Sequence, residues 1–449
     1  MTSRLDNPRL LSQGDRVDGP QDTPHSNPGL SHSGHVSWDA ARELAHAAGR
    51  PGVAVSLDLS ETIGCVLAVP LISPVAVPPV DRSAMDGYAV CGPGPWQVTH
   101  HVAAGATDPG ELTEGQATTI VTGATVPTGT TAVIPSEQAL HTGNHLTRTS
   151  PPSERMGEEG GPARGTGGVT AGAAPPRAPV RDHIRRVGEE CWAGDELLSA
   201  GVVVGPAVVG LAATVGLDRL TVIPKPTVAA LITGDELVHQ GPSGPGQVRD
   251  AIGPMLPALI TQAGAHLPAG INHLGDSLDE LTRGLRESQA DLTLVSGSSA
   301  AGPADHLRQA LTALGAELVV DGVACRPGHP QALAQLPDGR LILGLPGNPF
   351  AALVAFLTLG VAAIARMRGL PLAELPQIAI PGGVHCHPTS TRLVPVRLTP
   401  DGAVPIGHDG SAMLRGPATA DALAVVTPGP TKAIAARLLT SAGTTPWAG

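Results

Sequence analysis

The 449-residue sequence predicts an α/β multidomain protein built around a doubly wound, mostly parallel sheet. Three observations predict it. From Thr227 onward, apolar β-type runs alternate with helical patterns, the signature of strands buried on both faces. One run, Asp291 to Ser296, breaks into the Gly/Ser loop Gly297 to Gly302 and then leads into a helix. A second run, Arg340 to Leu345, breaks into Pro346-Gly-Asn-Pro349 and leads into an apolar helix, Phe350 to Gly360. Where a strand gives way to a loop and a helix, the backbone N–H groups of the loop and first turn lack partners. The helix dipole adds partial positive charge there, so both loops are predicted to bind anions. In doubly wound sheets ligands sit at the carboxyl ends of the strands, so the two loops can face one ligand.

The elements follow in chain order. Residues 1–35 are polar and aperiodic, which predicts a disordered tail. Ser37 caps a helix from Trp38 to about Ala48, stopped by Gly49 and Pro51. Between Ala103 and Ser136, short β-type runs such as Thr118 to Thr122 and Ala132 to Ile134 alternate with Gly and Pro turns, which predicts a small β domain. Residues 150–180 are rich in Gly, Pro, Glu and Arg without period and read as a flexible insertion. Val228 to Ile232 is a buried parallel strand, followed by helices near Met255 to Ala263 and Ser277 to Ser288. After Pro376, runs such as Thr391 to Leu398 and Ala422 to Val426 predict a final small β domain.

Composition narrows the function. Aromatics are only 2% and the formal net charge is -11, which argues against base stacking and against a broad nucleic-acid surface. An anionic small molecule therefore needs a local basic pocket. Lysine occurs only at Lys225 and Lys432, so arginine carries the cationic contacts, with a planar fork rather than a point charge. The five cysteines are isolated and lack C-x-x-C spacing, as expected of reduced cytosolic thiols rather than a zinc site. No uninterrupted apolar run of membrane length and no cleavable leader are evident, so a soluble cytoplasmic protein without membrane contact is expected.

Four acidic residues stand at loop positions beside or near these loops: Asp86, Glu236, Asp250 and Asp305. Carboxylates near a phosphate site imply a divalent cation such as Mg²⁺, without which they would repel the ligand. Each is equally able to cap a turn. Arg82, Arg249, Arg308 and Arg326 are candidate anion clamps, and His329, held between Gly328 and Pro330, could donate to an oxyanion if protonated. The pattern contains no nucleophile elbow, no H-E-x-x-H and no Walker A lysine after Gly302 or Gly347.

Motifs occur in an ordered set: Pro79-Val-Asp-Arg-Ser-Ala-Met-Asp-Gly-Tyr-Ala-Val90, Ile120-Val-Thr-Gly-Ala124, Ile184-Arg-Arg-Val-Gly-Glu-Glu190, Thr233-Gly-Asp-Glu-Leu237, Gly246-Gln-Val-Arg-Asp250, the Gly/Ser loop to Asp305, Arg326-Pro-Gly-His-Pro330, Leu345-Pro-Gly-Asn-Pro349 and Gly410-Ser411. From about Ser37 to Thr431 the chain resembles the molybdopterin molybdenumtransferase family of the MoeA and gephyrin E-domain type. The resemblance implies an elongated homodimer with a linker domain in two segments (36–95 and 185–225), an inserted small β domain (96–184), a molybdopterin-binding α/β domain (226–372) and a C-terminal β-barrel (376–449). It further implies Mg²⁺-assisted ligation of molybdate to the dithiolene of adenylylated molybdopterin, with release of AMP.

By matching position, the resemblance makes Asp86, Glu236, Asp250 and Asp305 the acidic catalytic site, with Glu236, Asp250 and Asp305 holding Mg²⁺. Thr122, Glu190, Ser296, Gly297, Ser298, Arg326, His329, Pro346, Gly347, Asn348 and Ser411 would bind the ligand. Several positions depart from the family pattern. Ser298 takes a glycine place, Asp-Ser-Asn becomes Asp250-Ala-Ile252, Lys-Pro-Gly-Lys-Pro becomes Arg326-Pro-Gly-His-Pro330, and Glu190 stands where aspartate is common. Exchanging two ammonium groups for a guanidinium and a titratable imidazole weakens anion binding near neutral pH. Two alternatives to turnover therefore stay open: a paralogue that binds or hands over molybdopterin, and a dimeric scaffold.

Overall fold

Ser37 does what its position predicts. In the computed structural model, which describes residues 35–149, 182–297 and 306–440, its side chain accepts from the Ala40 amide and caps the helix Trp38–Ala48. The tail expected over 1–35, save its last residue, and the insertion expected over 150–180 lie outside the described residues, as do Ser298 and Asp305. Trp38 is fully buried, and its indole Nε1 donates to Thr358 Oγ1 at 3.0 Å. The Arg42 and Arg437 guanidinium groups lie over the indole at 5.0 and 5.5 Å, and Arg437 forks onto Asp39. This helix thus joins the central α/β core to the C-terminal strands.

The central sheet runs in the order Ile271–Leu274, Val228–Thr233, Leu292–Ser296, Leu341–Leu345, Ala332–Gln335, Glu317–Asp321. The first four strands are parallel, and only Ala332–Gln335 runs antiparallel to its neighbours, as a mostly parallel sheet requires. Every residue of Leu292–Ser296 and Leu341–Leu345 is buried, which explains their unbroken apolar character. Alternate residues face opposite helical layers. Val228, Ala230, Leu292, Leu294 and Leu343 pack with Trp38, Ile260, Phe350 and Phe356. Leu231, Val295 and Ile342 pack with Leu281, Leu285, Leu307 and Leu311 on the other side.

The helix expected over Phe350 to Gly360 runs further. Helical turns Pro349–Ala355 continue through a π-helical stretch, Phe356–Gly360, into Val361–Met367. The whole span Pro349–Met367 is long and apolar enough to cross a membrane by length and composition, contrary to the sequence expectation that no such run exists. Its window is 78% buried inside the protein, however, and an all-round apolar helix is what a core requires.

Two separated segments are sewn together by antiparallel pairs before this core: Val55–Asp58 and Val66–Leu67 on Arg219–Ile223, Leu71–Ile72 on Glu196–Leu198, and Arg82–Ser83 on Ile184–Arg185. A six-stranded sheet lies between them in sequence. The strand Gly87–Val90, expected within the first linker segment, pairs inside that sheet with Gln116–Ile120 and Ala132–Pro135. At the C-terminal end, Gln377–His385, Lys432–Leu439, Ala422–Val426 and Thr391–Thr399 pair in that order, and Gly402–Pro405 adds to the last. Val323–Arg326 also pairs with Thr391–Thr399, in parallel, and brings Arg326 beside Arg392.

Candidate functional site

The two predicted anion loops emerge side by side. Parallel register aligns Ile232 with Ser296 and Ser296 with Leu345, so three strands end at one edge. Thr233 Oγ1 donates to the Ser296 carbonyl at 2.7 Å and fixes the first exit. Gly297 follows with φ +85°, and a Cβ there would meet Thr233 Oγ1 at 2.7 Å, so the turn requires glycine. Gly347 of the second loop lies against it: a Cβ on Gly347 would sit 3.9 Å from Gly297 Cα. His306, which the sequence reading did not single out, lines the cleft with Thr233, Ser296 and Gly297, and its buried Nδ1 has no hydrogen-bond partner among the described residues.

One expectation needs correction here. The first-turn amides of the helix at Pro349 are not free, because Phe350 and Ala351 both donate to the Ser411 carbonyl, at 3.0 and 3.1 Å. A loop of the C-terminal region thus caps this helix. The exposed amides of Gly347 and Asn348 have no partner among the described residues, and the Asn348 side chain makes no cap hydrogen bond. These groups, rather than the helix end, are what the second loop offers an anion.

A cavity of about 480 Å³ opens beside them, lined by Arg326, His329, Pro346, Asn348 and Ser411 together with His35, Thr389 and Ser390. Five sequence-predicted ligand residues therefore share one cavity. Arg326 forms no ion pair among the described residues, whereas neighbouring Arg392 is bound to Asp409 at 2.7 Å. The field of Arg326 is felt locally. His329 is exposed as a residue, yet desolvation is the largest influence on its imidazole, followed by the charges of His35 and Arg326, and together they hold it below its ordinary pKa. Burial, Arg326 and Arg392 likewise lower His387, whose Nδ1 accepts from the Ser390 and Thr389 amides. The wall also holds Cys325, whose thiol burial pushes up to about 12, leaving it unreactive.

The remaining predicted residues lie elsewhere. Asp86 Oδ1 accepts the Thr122 amide at 2.6 Å, which lowers its pKa, and this exposed pair belongs to the inserted sheet. Glu190 lines a separate cavity of about 970 Å³ between the two sewn segments, with Arg82 and Arg185. Arg308 is bound to Asp321, and Arg249 donates to the Val238 carbonyl. Glu236 is exposed, its carboxylate folded back over Gly234.

Asp250 was expected with Glu236 and Asp305 as an oxygen ligand for Mg²⁺. Its surroundings are different. Oδ1 accepts from the Ile252 and Gly253 amides, both at 2.9 Å, while Oδ2 faces His273 Nε2 at 3.4 Å and His239 Nδ1 at 3.9 Å. Mg²⁺ favours oxygen donors in a near-octahedral shell, and imidazole nitrogen is the donor of zinc-class ions. The donor set around Asp250 does not fit Mg²⁺.

Comparison with known proteins shows the family and the fold. Residues 36–216 match the MoeA N-terminal region (domain I and II), 229–366 a probable molybdopterin binding domain, and 380–435 the MoeA C-terminal region (domain IV). The chain is 34% identical over 322 residues to molybdopterin molybdenumtransferase 2 of Mycobacterium tuberculosis, covering 67% of this chain and 72% of that one. It is 31% identical over 331 residues to the molybdopterin molybdenumtransferase of Bacillus subtilis, covering 71% of each. The crystal structure of the molybdopterin biosynthesis MoeA protein from Pyrococcus horikosii superposes with a TM-score of 0.67 at 25% identity, covering 92% of this chain and 100% of that one. With three consecutive family regions, two relatives above 30% identity and a common fold, this chain belongs to the molybdopterin molybdenumtransferase family of molybdenum cofactor biosynthesis.

Proposed function

We propose that this transferase ligates molybdate to the dithiolene of adenylylated molybdopterin and releases AMP. The observation that carries the reading is the cavity at the strand ends, lined by Asn348 and by Arg326, which has no ion-pair partner among the described residues, next to the Gly347 and Asn348 amides, which donate to no partner there either. The Arg326 fork would take phosphate oxygens in a bidentate contact, and the two amides would orient the anion beside it. His329, held mostly neutral, would donate one ring N–H rather than a full charge. Holding molybdate and the dithiolene in one cavity makes their encounter effectively intramolecular. Mg²⁺ carried on the nucleotide phosphates, with Glu236 as an oxygen donor, would offset phosphoanhydride charge. An elongated cytoplasmic homodimer with a closed C-terminal barrel, implied by the family resemblance, belongs to the same proposal.

A second reading, binding and delivery of molybdopterin without turnover, is favoured by the lowered pKa of His329, which leaves the cavity with one fixed positive charge. The two are separated by incubating purified protein with adenylylated molybdopterin, molybdate and Mg²⁺. Turnover predicts AMP release, followed by chromatography. Intact nucleotide across the pH range, with tight pterin binding by calorimetry, would reject catalysis and leave the binding role.

A further inference from the structure

His239, Asp250 and His273 are the one group of three metal-ligating side chains that converges among the described residues, their ligand atoms all within 4.8 Å of one another. Register explains the convergence. The short strands Leu237–Val238 and Val248–Arg249 pair in parallel with Val238 beside Arg249, so the residues that follow them, His239 and Asp250, are also neighbours. The Asp250 amide donates to the Val238 carbonyl and locks the match. His273 comes from the edge strand Ile271–Leu274, level with Ile232 of the central sheet.

The distances do not describe ordinary hydrogen bonds. An N–H···O bond spans about 2.7–3.2 Å. His273 Nε2 stands 3.4 Å and His239 Nδ1 3.9 Å from the same oxygen, while the two rings lie 3.7 Å apart between centroids, tilted by 43°. Metal–ligand bonds near 2.1 Å at tetrahedral angles separate donor atoms by roughly 3.4 Å. One imidazole is already at that spacing, and the other needs a small rotation of a side chain that is 44% exposed. Asp250 is prepared for the role: its carboxylate is 4% exposed, two backbone amides hold Oδ1, and Oδ2 points at both imidazoles.

We propose that His239 Nδ1, His273 Nε2 and Asp250 Oδ2 bind one divalent transition cation of the zinc, cobalt or nickel class. Two nitrogens and one carboxylate oxygen suit such ions, and the exposed side of both imidazoles leaves room for solvent to complete the shell. The ion would sit at the same edge of the sheet as the anion loops, because Leu274, next to His273, is level with Thr233. The site stands on geometry alone and goes beyond the transferase reading.

The test uses the full chain, stripped with a chelator and titrated with Co²⁺ at neutral pH. One equivalent should bind with the visible ligand-field absorption of a low-symmetry site, resist excess Mg²⁺, and be displaced by one equivalent of Zn²⁺. His239→Gln and His273→Gln, both at partly exposed positions, should each weaken binding at least about tenfold, and the pair should abolish it. His145→Gln, in the inserted sheet, should leave the titration unchanged. Absence of stoichiometric Co²⁺ or Zn²⁺ binding by the wild type would overturn the proposal, as would full binding by the double variant. AMP release plays no part in the readout, so the metal site and the transferase reading fail separately.

Discussion

Replacing Arg326 by Gln removes the one cavity-lining charge that has no counter-ion among the described residues. Two magnitudes follow. A hydrogen bond from a charged donor contributes about 1.5–3 kcal/mol. Arg326 is exposed, so solvent screening places it near the lower figure, which corresponds to about a tenfold loss of affinity for an anionic pterin nucleotide. The second consequence needs no ligand. Arg326 is one of the charges that depress both His329 and His387, and removing a positive neighbour favours the protonated imidazole, so both pKa values should rise. For each, burial remains as the larger cause, so the recovery should be partial. Calorimetry with the nucleotide measures the first effect, and proton NMR titration of the histidine ring signals measures the second. Affinity within twofold of wild type together with unmoved His329 and His387 titrations would refute the account of the cavity as an Arg326 field.

The glycines of the two loops should separate fold from function. Gly297→Ala forces a Cβ against Thr233 at positive φ and should cost about 1–3 kcal/mol in urea denaturation, whereas Gly347→Ala has its nearest neighbour at 3.9 Å and should keep stability while weakening nucleotide binding. Equal stability losses would contradict the assignment. Thr358→Val leaves the buried Trp38 Nε1 without an acceptor and should destabilise by about 1–3 kcal/mol; a change below about 0.5 kcal/mol would mean that another group takes the proton. His329 gives a pH dependence with a definite sign. Its depressed pKa means the unfolded chain takes up more protons, so its contribution to stability falls as pH drops below the ordinary imidazole value. A bound anion reverses the preference, so affinity should rise on the same acidification, and His329→Gln should flatten that rise relative to wild type.

Much of the core was legible because its signals are local. The Ser37 cap, the helix to Ala48, the unbroken apolar strands and the Gly and Pro-Gly-Asn-Pro exits are each written within a dozen residues. The helix after Pro349 was underestimated because Gly360 looks like a stop, yet that glycine sits where a Cβ would press on Phe356 and Leu343, so it serves close packing inside a continuing helix. What sequence could not supply is pairing between distant segments. His239, Asp250 and His273 meet only through the register of two short strands and one edge strand. Ser411, expected to bind the ligand, lines the cavity of Arg326, but its carbonyl as the cap of the Pro349 helix depends on a loop from another region.

That cap changes how the anion site must work. A helix end with free first-turn amides attracts any anion through several weak donors, and no single residue decides the outcome. Here the Ser411 carbonyl occupies two of those donors, and Asp409 neutralises Arg392 beside the cavity. The family's second lysine position carries His329, which its surroundings keep largely uncharged. In the proposed site, attraction would therefore converge on the Arg326 fork and the amides of Gly347 and Asn348, a set with directional rather than diffuse recognition. Such a site would discriminate by geometry, because a planar fork matches paired phosphate oxygens, and its long-range pull on an anion would be correspondingly weak in a chain of net charge -11. A dication held at His239, Asp250 and His273, at the same edge of the sheet, would add to that pull without further basic side chains.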